Sequence, residues 1–360
     1  MAHYSRIDTM VRATVFSRPK KIAICPFAEE GMMAKQILNQ RYGIEETYII
    51  DNRLAEINPG ILRVESLKEQ DTEGLIVLLM IQNKEINRQL ENQLKEMDEK
   101  IEIQNYLRPA WTFVPEKKGF FQKVKQNLRA VRPVGEISFL RLGKAYDGGY
   151  VLLDDFSRDM RVYTFGIADD VSFEKELADR GLQIFMHDHT IMGLPMEHEN
   201  FHFYKTGISH IDEPENDKLS MQTLLENNGD LGNDRLILKM DVEGAEWDFI
   251  ENTSSEILSQ FRQMTFELHR LTEMEKEEQI LHCLNKLNLT HQVVWIHANN
   301  FGHIEKAGEE LEIPAYIEIT YVNKAAYRTE KGDCNFPLSI DMPDYPSIEE
   351  YILGNWGCSL

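Results

Sequence analysis

Two short runs carry the residues best suited to chemistry, Arg235–Asp241 (RLILKMD) and Gln263–His269 (QMTFELH). Each reads as a buried strand ending on a polar group. Glu267 and His269 stand two apart, so an extended backbone puts them on one face. If the two strands are neighbours, Asp241, Glu267 and His269 meet at one point. Two carboxylates and an imidazole suit an octahedral Mg²⁺ or Mn²⁺ with water positions left open. They equally suit a metal-free arrangement in which a carboxylate orients a basic histidine. Other inferred strands also end on polar groups: Gly166 to Asp170, Asp188 between His187 and His189, Gly207, and Glu243 beside Asp241. A carboxylate such as Asp188 at a strand end can accept from both hydroxyls of a ribose, or can cap a loop. Asp169, Asp170 and Ser172 also read as helix N-caps. His187, His189 and His198 lie close together without the spacing of helical metal ligands.

Alternating strands and helices must hold these residues. From Val134 the order is strand Val162–Gly166, helix Ser172–Arg180, strand Leu182–Asp188, strand Phe201–Ile208 and helix Ser220–Asn227. Then come strand Arg235–Asp241, a helix opened by Ala245–Asn252, strand Gln263–His269, helix Gln279–Lys286, and closing strands His291–His297 and Tyr316–Val322. This is the pattern of a doubly wound α/β sheet, with an antiparallel finish open. Ligands of such sheets bind outside the carboxyl ends of the strands, where the acids and histidines gather.

A smaller Rossmann-like α/β domain precedes it. Lys21–Pro26, Thr47–Asp51 and Gly74–Gln82 read as strands, with helices over Gly31–Tyr42 and Lys84–Met97, the latter capped by Asn83. A pyrophosphate loop would need closely spaced glycines after the first strand; here Phe27-Ala28-Glu29-Glu30 puts two negative charges there. A structural or oligomerising role is expected, with Asp51 a weak ribose candidate. The expected divisions are a polar leader over 1–20, this domain over 21–97, a linker with an amphipathic helix over 98–133, and the large domain over 134–360. Lys117–Arg132 is basic and amphipathic; packing of Phe120, Phe121, Val124 and Leu128 on a neighbour is its simplest use, an anionic ligand the alternative.

A net charge of −21 repels polyphosphates, so nucleic acid is not expected as a partner. No apolar run approaches the ~20 residues of a membrane span. No signal peptide is visible, and four scattered cysteines fit a reducing cytoplasm.

Leu238–Trp247 (LKMDVEGAEW) resembles the signature of FkbM-type, S-adenosylmethionine-dependent methyltransferases. The resemblance continues, in order, through Asp147–Leu152 (DGGYVL), Phe165–Glu174, Ser220–Leu225, Phe266–His269, Trp295–Asn300 (WIHANN) and Pro314–Tyr321. It spans about 200 residues of the large domain and none of the first. One departure stands out: of the glycine-rich first loop only Gly166 remains, before Ile167 and Ala168. The resemblance implies a class I methyltransferase sheet. It places S-adenosylmethionine against Gly166, Ile167, Ala168, Gly207 and Asp241, with Asp188 on its ribose, and Asp147, Gly148, Gly149 and Tyr150 helping at the methionine end. The implied reaction methylates a sugar hydroxyl for capsular or other surface polysaccharide, the sugar free or nucleotide-linked, such as an NDP-heptose or hexose. His269 is the first candidate base and His297 the second, with Asp241 beside the sulfonium; Asn299 and Asn300 would meet substrate hydroxyls. Two other readings stand: an NAD(P)-dependent sugar-nucleotide oxidoreductase using the first domain, and a non-catalytic scaffold.

Overall fold

The computed structural model describes residues 2–358. The chain divides into two compact units. The smaller takes in the chain up to Lys118 together with Asn300–Glu312 and Tyr345–Glu350. The larger comprises Gly119–Asn299, Ile313–Asp344 and the chain from Tyr351 onward.

In the smaller unit, α1 (Ala2–Phe16) precedes β1 (Lys21–Cys25), α2 (Glu29–Tyr42), β2 (Tyr48–Ile49), β3 (Leu75–Leu79), α3 (Lys84–Met97) and β4 (Glu102–Asn105). The four strands are parallel in the order β2-β1-β3-β4. Their alternating residues feed two cores. Ile22, Ile24, Leu78 and Met80 pack with Ile7, Met10, Ile37 and Leu38, whereas Ala23, Cys25, Val77 and Leu79 pack with Val64, Leu67 and Leu94. The sheet is thus covered on both faces, as its nearly continuous apolar strands require. Asn83 caps α3 as expected, its side chain accepting from the amides of Glu85 and Ile86. The polar leader is instead helix α1: Ile7, Met10, Val11 and Thr14 recur at helical spacing and are buried, a stripe diluted by the intervening Arg, Asp and Thr. Asp51 is occupied locally, accepting from the amides of Phe27, Arg53 and Leu54.

The larger unit opens with α4 (Lys118–Asn127), whose Phe120, Phe121 and Val124 are buried, the packing role expected of this basic stretch. A hairpin follows, β5 (Phe139–Leu142) with β6 (Tyr150–Leu153). The main sheet consists of β7 (Arg161–Phe165), β8 (Gln183–His187), β9 (Phe201–Tyr204), β10 (Leu236–Met240), β11 (Phe261–Leu268), β12 (His291–Ala298) and β13 (Ile317–Asn323). Its helices are α5 (Ser172–Asp179), α6 (Met221–Asn227), α7 (Glu246–Asn252) and α8 (Glu277–Thr290). The strand order is β9-β8-β7-β10-β11-β13-β12, parallel from β9 to β11, with β13 antiparallel to both its neighbours. This is the doubly wound, parallel-rich α/β sheet that the alternation of strands and helices predicts, with an antiparallel strand near one edge. The expected strand Phe201–Ile208 splits in two: the ladder of β9 ends at Tyr204, and Gly207–Ser209 pairs instead with Lys218–Ser220. No described helix is long and apolar enough to cross a membrane. All four cysteines are free thiols.

Candidate active site

Chain order reverses between β7 and β10: β8 and β9 build outward on one side, and β10 and β11 on the other. Such a switch point opens a crevice at the carboxyl ends of the two strands. Here those ends are Phe165-Gly166 and Met240-Asp241. They approach so closely that a Cβ on Gly166 would lie 1.6 Å from the Asp241 carbonyl oxygen, and Gly166 has a φ of +78°. Only glycine fits. A cavity of about 410 Å³ opens beside them, lined among others by Gly166, Ala168, Asp188, Gly207, Asp241 and Glu243. A second, smaller recess of about 110 Å³ shares Gly166 and Asp241 and is also lined by Asp147 and Gly148 of the β5–β6 turn, by Tyr150 at the start of β6 and by Ile167. Gly149 is not on either wall; its Cα faces the Arg141 guanidinium, where a Cβ would clash at 2.2 Å. Ala168 (φ +49°) and Glu243 (φ +55°) hold left-handed backbone conformations at the cavity rim. Non-glycine residues adopt these at a cost of about 1–2 kcal/mol each, a strain that concentrates at functional sites.

Asp188 lies at the cavity wall, already engaged. One oxygen accepts from the amides of Ile167 and Ala168 (both 3.0 Å), the other from the amide (2.8 Å) and hydroxyl (2.6 Å) of Thr190. Burial alone would raise its pKa, but the Thr190 hydroxyl and these amides hold it below the usual carboxylate range. Asp188 therefore braces the loop that follows β7. The three neighbouring histidines do not converge: His187 stacks on Phe165 and meets the Thr206 hydroxyl, His189 faces Gly207, and His198 pairs with Asp179. Burial pushes His187 down to about 3, which leaves it neutral.

The expected cluster forms. β10 and β11 are adjacent, and ligand atoms of Asp241, Glu267 and His269 all lie within 4.8 Å of one another. Tyr150, buried beneath them, donates its hydroxyl proton to Asp241 Oδ2 (3.0 Å). Lys239 Nζ donates to the Gly166 carbonyl (2.7 Å) and lies 4.0 Å from Asp241 Oδ2. His269 Nδ1 bonds to Glu246 Oε1 (3.2 Å), which also accepts from the amides of Val242 and Gly244. The indole of Trp247 donates to the His269 carbonyl (2.7 Å). The run DVEGAEW therefore has a local purpose: Asp241 faces the cavity, Glu246 fixes the loop and the imidazole, and Trp247 fixes the backbone behind it.

The cluster is rich in carboxylates. For His269, burial favours the neutral ring, but the Glu246 hydrogen bond and the charges of Glu267, Glu246 and Asp241 outweigh it and raise the pKa to about 9. At neutral pH this ring is an imidazolium. Burial, reinforced by Asp241, lifts Glu267 well above the carboxylate range. Strand register extends the band, since Glu267 sits opposite Glu318, and Glu318 opposite His297. His297 Nδ1 bonds to Glu318 Oε2 (2.9 Å), and Asp344 lies behind it, 3.8 Å from the same nitrogen. Neither oxygen of Asp344 has a hydrogen-bond partner. Burial raises the pKa of both Glu318 and Asp344. Buried carboxylates this close together require protons or a cation.

Asn299 turns inward, donating to Glu267 Oε1 (2.9 Å). Asn300 is consumed elsewhere: its amide group holds Tyr345 and Ile348, and it is fully buried, so no substrate hydroxyl reaches it. Lys239, Glu246, Glu318 and Asp344 escape sequence reading. Lys239 alone leaves a visible signal, a charge inside an otherwise apolar strand of a parallel sheet.

No family model and no curated protein sequence matches the chain. Among solved structures, a methyltransferase FkbM from Methylobacillus flagellatus is similar over 86% of this chain and 93% of its own, with 12% identity and a TM-score of 0.41. A phosphoethanolamine N-methyltransferase 2 from Haemonchus contortus, solved with phosphomonomethylethanolamine and S-adenosylhomocysteine, covers 78% and 79%, with 8% identity and a TM-score of 0.20. Both are methyltransferases. At these scores neither likeness carries weight, and the functional reading rests on the site itself.

Proposed function

We propose that the larger unit is an S-adenosylmethionine-dependent O-methyltransferase acting on a sugar hydroxyl, free or nucleotide-linked. The observation that carries this reading is a pair of recesses at the β7/β10 switch point that share Gly166, Ala168 and Asp241, one reaching Asp188 and Gly207 and the other Asp147 and Tyr150. When bound, S-adenosylmethionine supplies an electrophilic methyl group on a sulfonium. Gly166, Ile167, Ala168 and Gly207 would hold it, with Asp188 at the wall on the ribose side and Asp147, Gly148 and Tyr150 on the methionine side. Asp241, held by Tyr150, would be the carboxylate neighbour of the positive sulfonium.

A sugar hydroxyl needs help to lose its proton. His269 is the first candidate base, but a pKa of about 9 keeps its proton in place at neutral pH. His297, the second, is buried against Glu318, and neither histidine lines either cavity. The alternative is metal-assisted: once their protons are displaced, Asp241, Glu267 and His269 would be the donors for a Mg²⁺ or Mn²⁺, which would lower the pKa of a coordinated hydroxyl. Asn299 positions Glu267, and Glu246 and Trp247 position His269. The reading places the enzyme among those that decorate surface polysaccharide from the cytoplasm, and the smaller unit is compatible with self-association. The test is incubation with methyl-labelled S-adenosylmethionine and a panel of NDP-hexoses and NDP-heptoses. Label entering a sugar with wild type but not with Asp241→Asn supports the proposal; label entering none counts against the acceptor class.

A further inference from the structure

The smaller unit contains a buried cation with no counter-ion among the described residues. Arg6, on α1, is 2% exposed. Its Nη2 donates to the carbonyls of Tyr106 and Arg108, while Nε and Nη1 have no hydrogen-bond partner. No carboxylate pairs with it among the described residues. Buried guanidinium groups are ordinarily matched by an anion, because desolvating a lone charge is costly. Burial brings this group down to about 10, which still leaves it charged at neutral pH.

Arg6 lines a cavity of about 380 Å³, together with Gln82, Lys84, Tyr106, Tyr345 and Ser347. Among the described residues no carboxylate is on its wall. Gln82 and Lys84 follow β3, and Tyr106 follows β4, so the cavity sits beyond the carboxyl ends of two adjacent parallel strands, where open α/β sheets take ligands. The glutamates at the start of α2 keep anions from the usual phosphate position after β1. The positive charge is displaced to the neighbouring strand end, at Lys84 after β3, and to Arg6 on α1. The space exceeds that of a bare anion and falls in the range of small-molecule sites, and two tyrosines wall it.

We propose that this cavity binds a phosphorylated small molecule, its phosphate held by Arg6 and Lys84 and its organic part against Tyr106 and Tyr345. The proposal is independent of the methyl-transfer reading and gives the smaller unit a ligand-binding role.

Calorimetry on the full chain at low salt, with inorganic phosphate, glucose 1-phosphate and uridine diphosphate as probes, tests it. Saturable one-to-one binding of an organophosphate, at least tenfold tighter than inorganic phosphate, is expected. Lys84 is exposed, so Lys84→Ala folds normally and should weaken that binding about tenfold; Arg6→Gln should abolish it. If Arg6→Gln does not fold, Lys84→Ala decides alone. Binding unchanged by Lys84→Ala, inorganic phosphate binding as tightly as either organophosphate, or no binding of any probe would each overturn the proposal.

Discussion

Replacing Gly166 with alanine separates the cost of a left-handed backbone from the cost of the close approach that defines the site. Gly232 supplies the comparison, with a φ of +87° and no atom within 4 Å of where a Cβ would stand. Gly232→Ala should therefore cost only conformational strain, about 1–2 kcal/mol. Gly166→Ala carries the same strain and also drives a methyl group onto the Asp241 carbonyl at 1.6 Å. Relief requires β7 and β10 to part at their ends. That breaks the Asp241 amide bond to the Phe165 carbonyl (3.0 Å) and the Lys239 bond to the Gly166 carbonyl (2.7 Å). Lost buried hydrogen bonds at about 1–3 kcal/mol each bring the total to roughly 4 kcal/mol or more. For a unit of this size, ~2–4 °C per kcal/mol puts the thermal midpoint down by about 8–16 °C, against about 2–8 °C for Gly232→Ala. Scanning calorimetry on both variants reads the difference. Equal shifts would refute the argument that the two strand ends are in contact through Gly166.

Three further outcomes follow from the site. Tyr150→Phe removes one hydrogen bond to a charged, partly buried group, worth about 1.5–3 kcal/mol, so kcat/KM for methyl transfer should fall roughly ten- to hundredfold with the circular dichroism spectrum unchanged. Metal-free protein titrated with Mn²⁺ should bind it, and Asp241→Asn or Glu267→Gln should remove that binding; full activity after EDTA treatment would take the metal out of the mechanism. His291 is buried between the Thr290 hydroxyl and the Phe261 carbonyl, and burial pushes its pKa down to about 4. The unfolded chain takes up this proton near pH 6.5 while the folded chain does not, so its contribution is intact above pH 6.5 and is lost as the pH falls toward 4. Urea unfolding should show the stability gap between wild type and His291→Gln narrowing by about 2 kcal/mol from pH 7 to pH 5; a constant gap would show that His291 titrates normally.

Much of this site is legible in the chain because parallel strands buried on both faces read as apolar runs, and the first polar residue after each run marks its carboxyl end. Asp241, Glu267 and His269 are found that way, and only their adjacency needed the fold. Other partners are hidden for definable reasons. Glu246 opens a helix and looks like a solvated acid until the loop folds back on it. Glu318 becomes significant only through its register with Glu267 and His297, which antiparallel insertion of β13 determines. Asp344 lies in a proline-broken segment with no periodicity to follow. Helix α1 shows the opposite failure, a regular buried stripe masked by charged neighbours, and with it Arg6 goes unread.

The most direct test of the central claim is calorimetric titration of the purified protein with S-adenosylhomocysteine, and separately with NAD⁺. The account predicts saturable one-to-one binding of S-adenosylhomocysteine, lost in Gly166→Ala, and none of NAD⁺. Binding of NAD⁺ alone, or of neither with Mn²⁺ present, would contradict it.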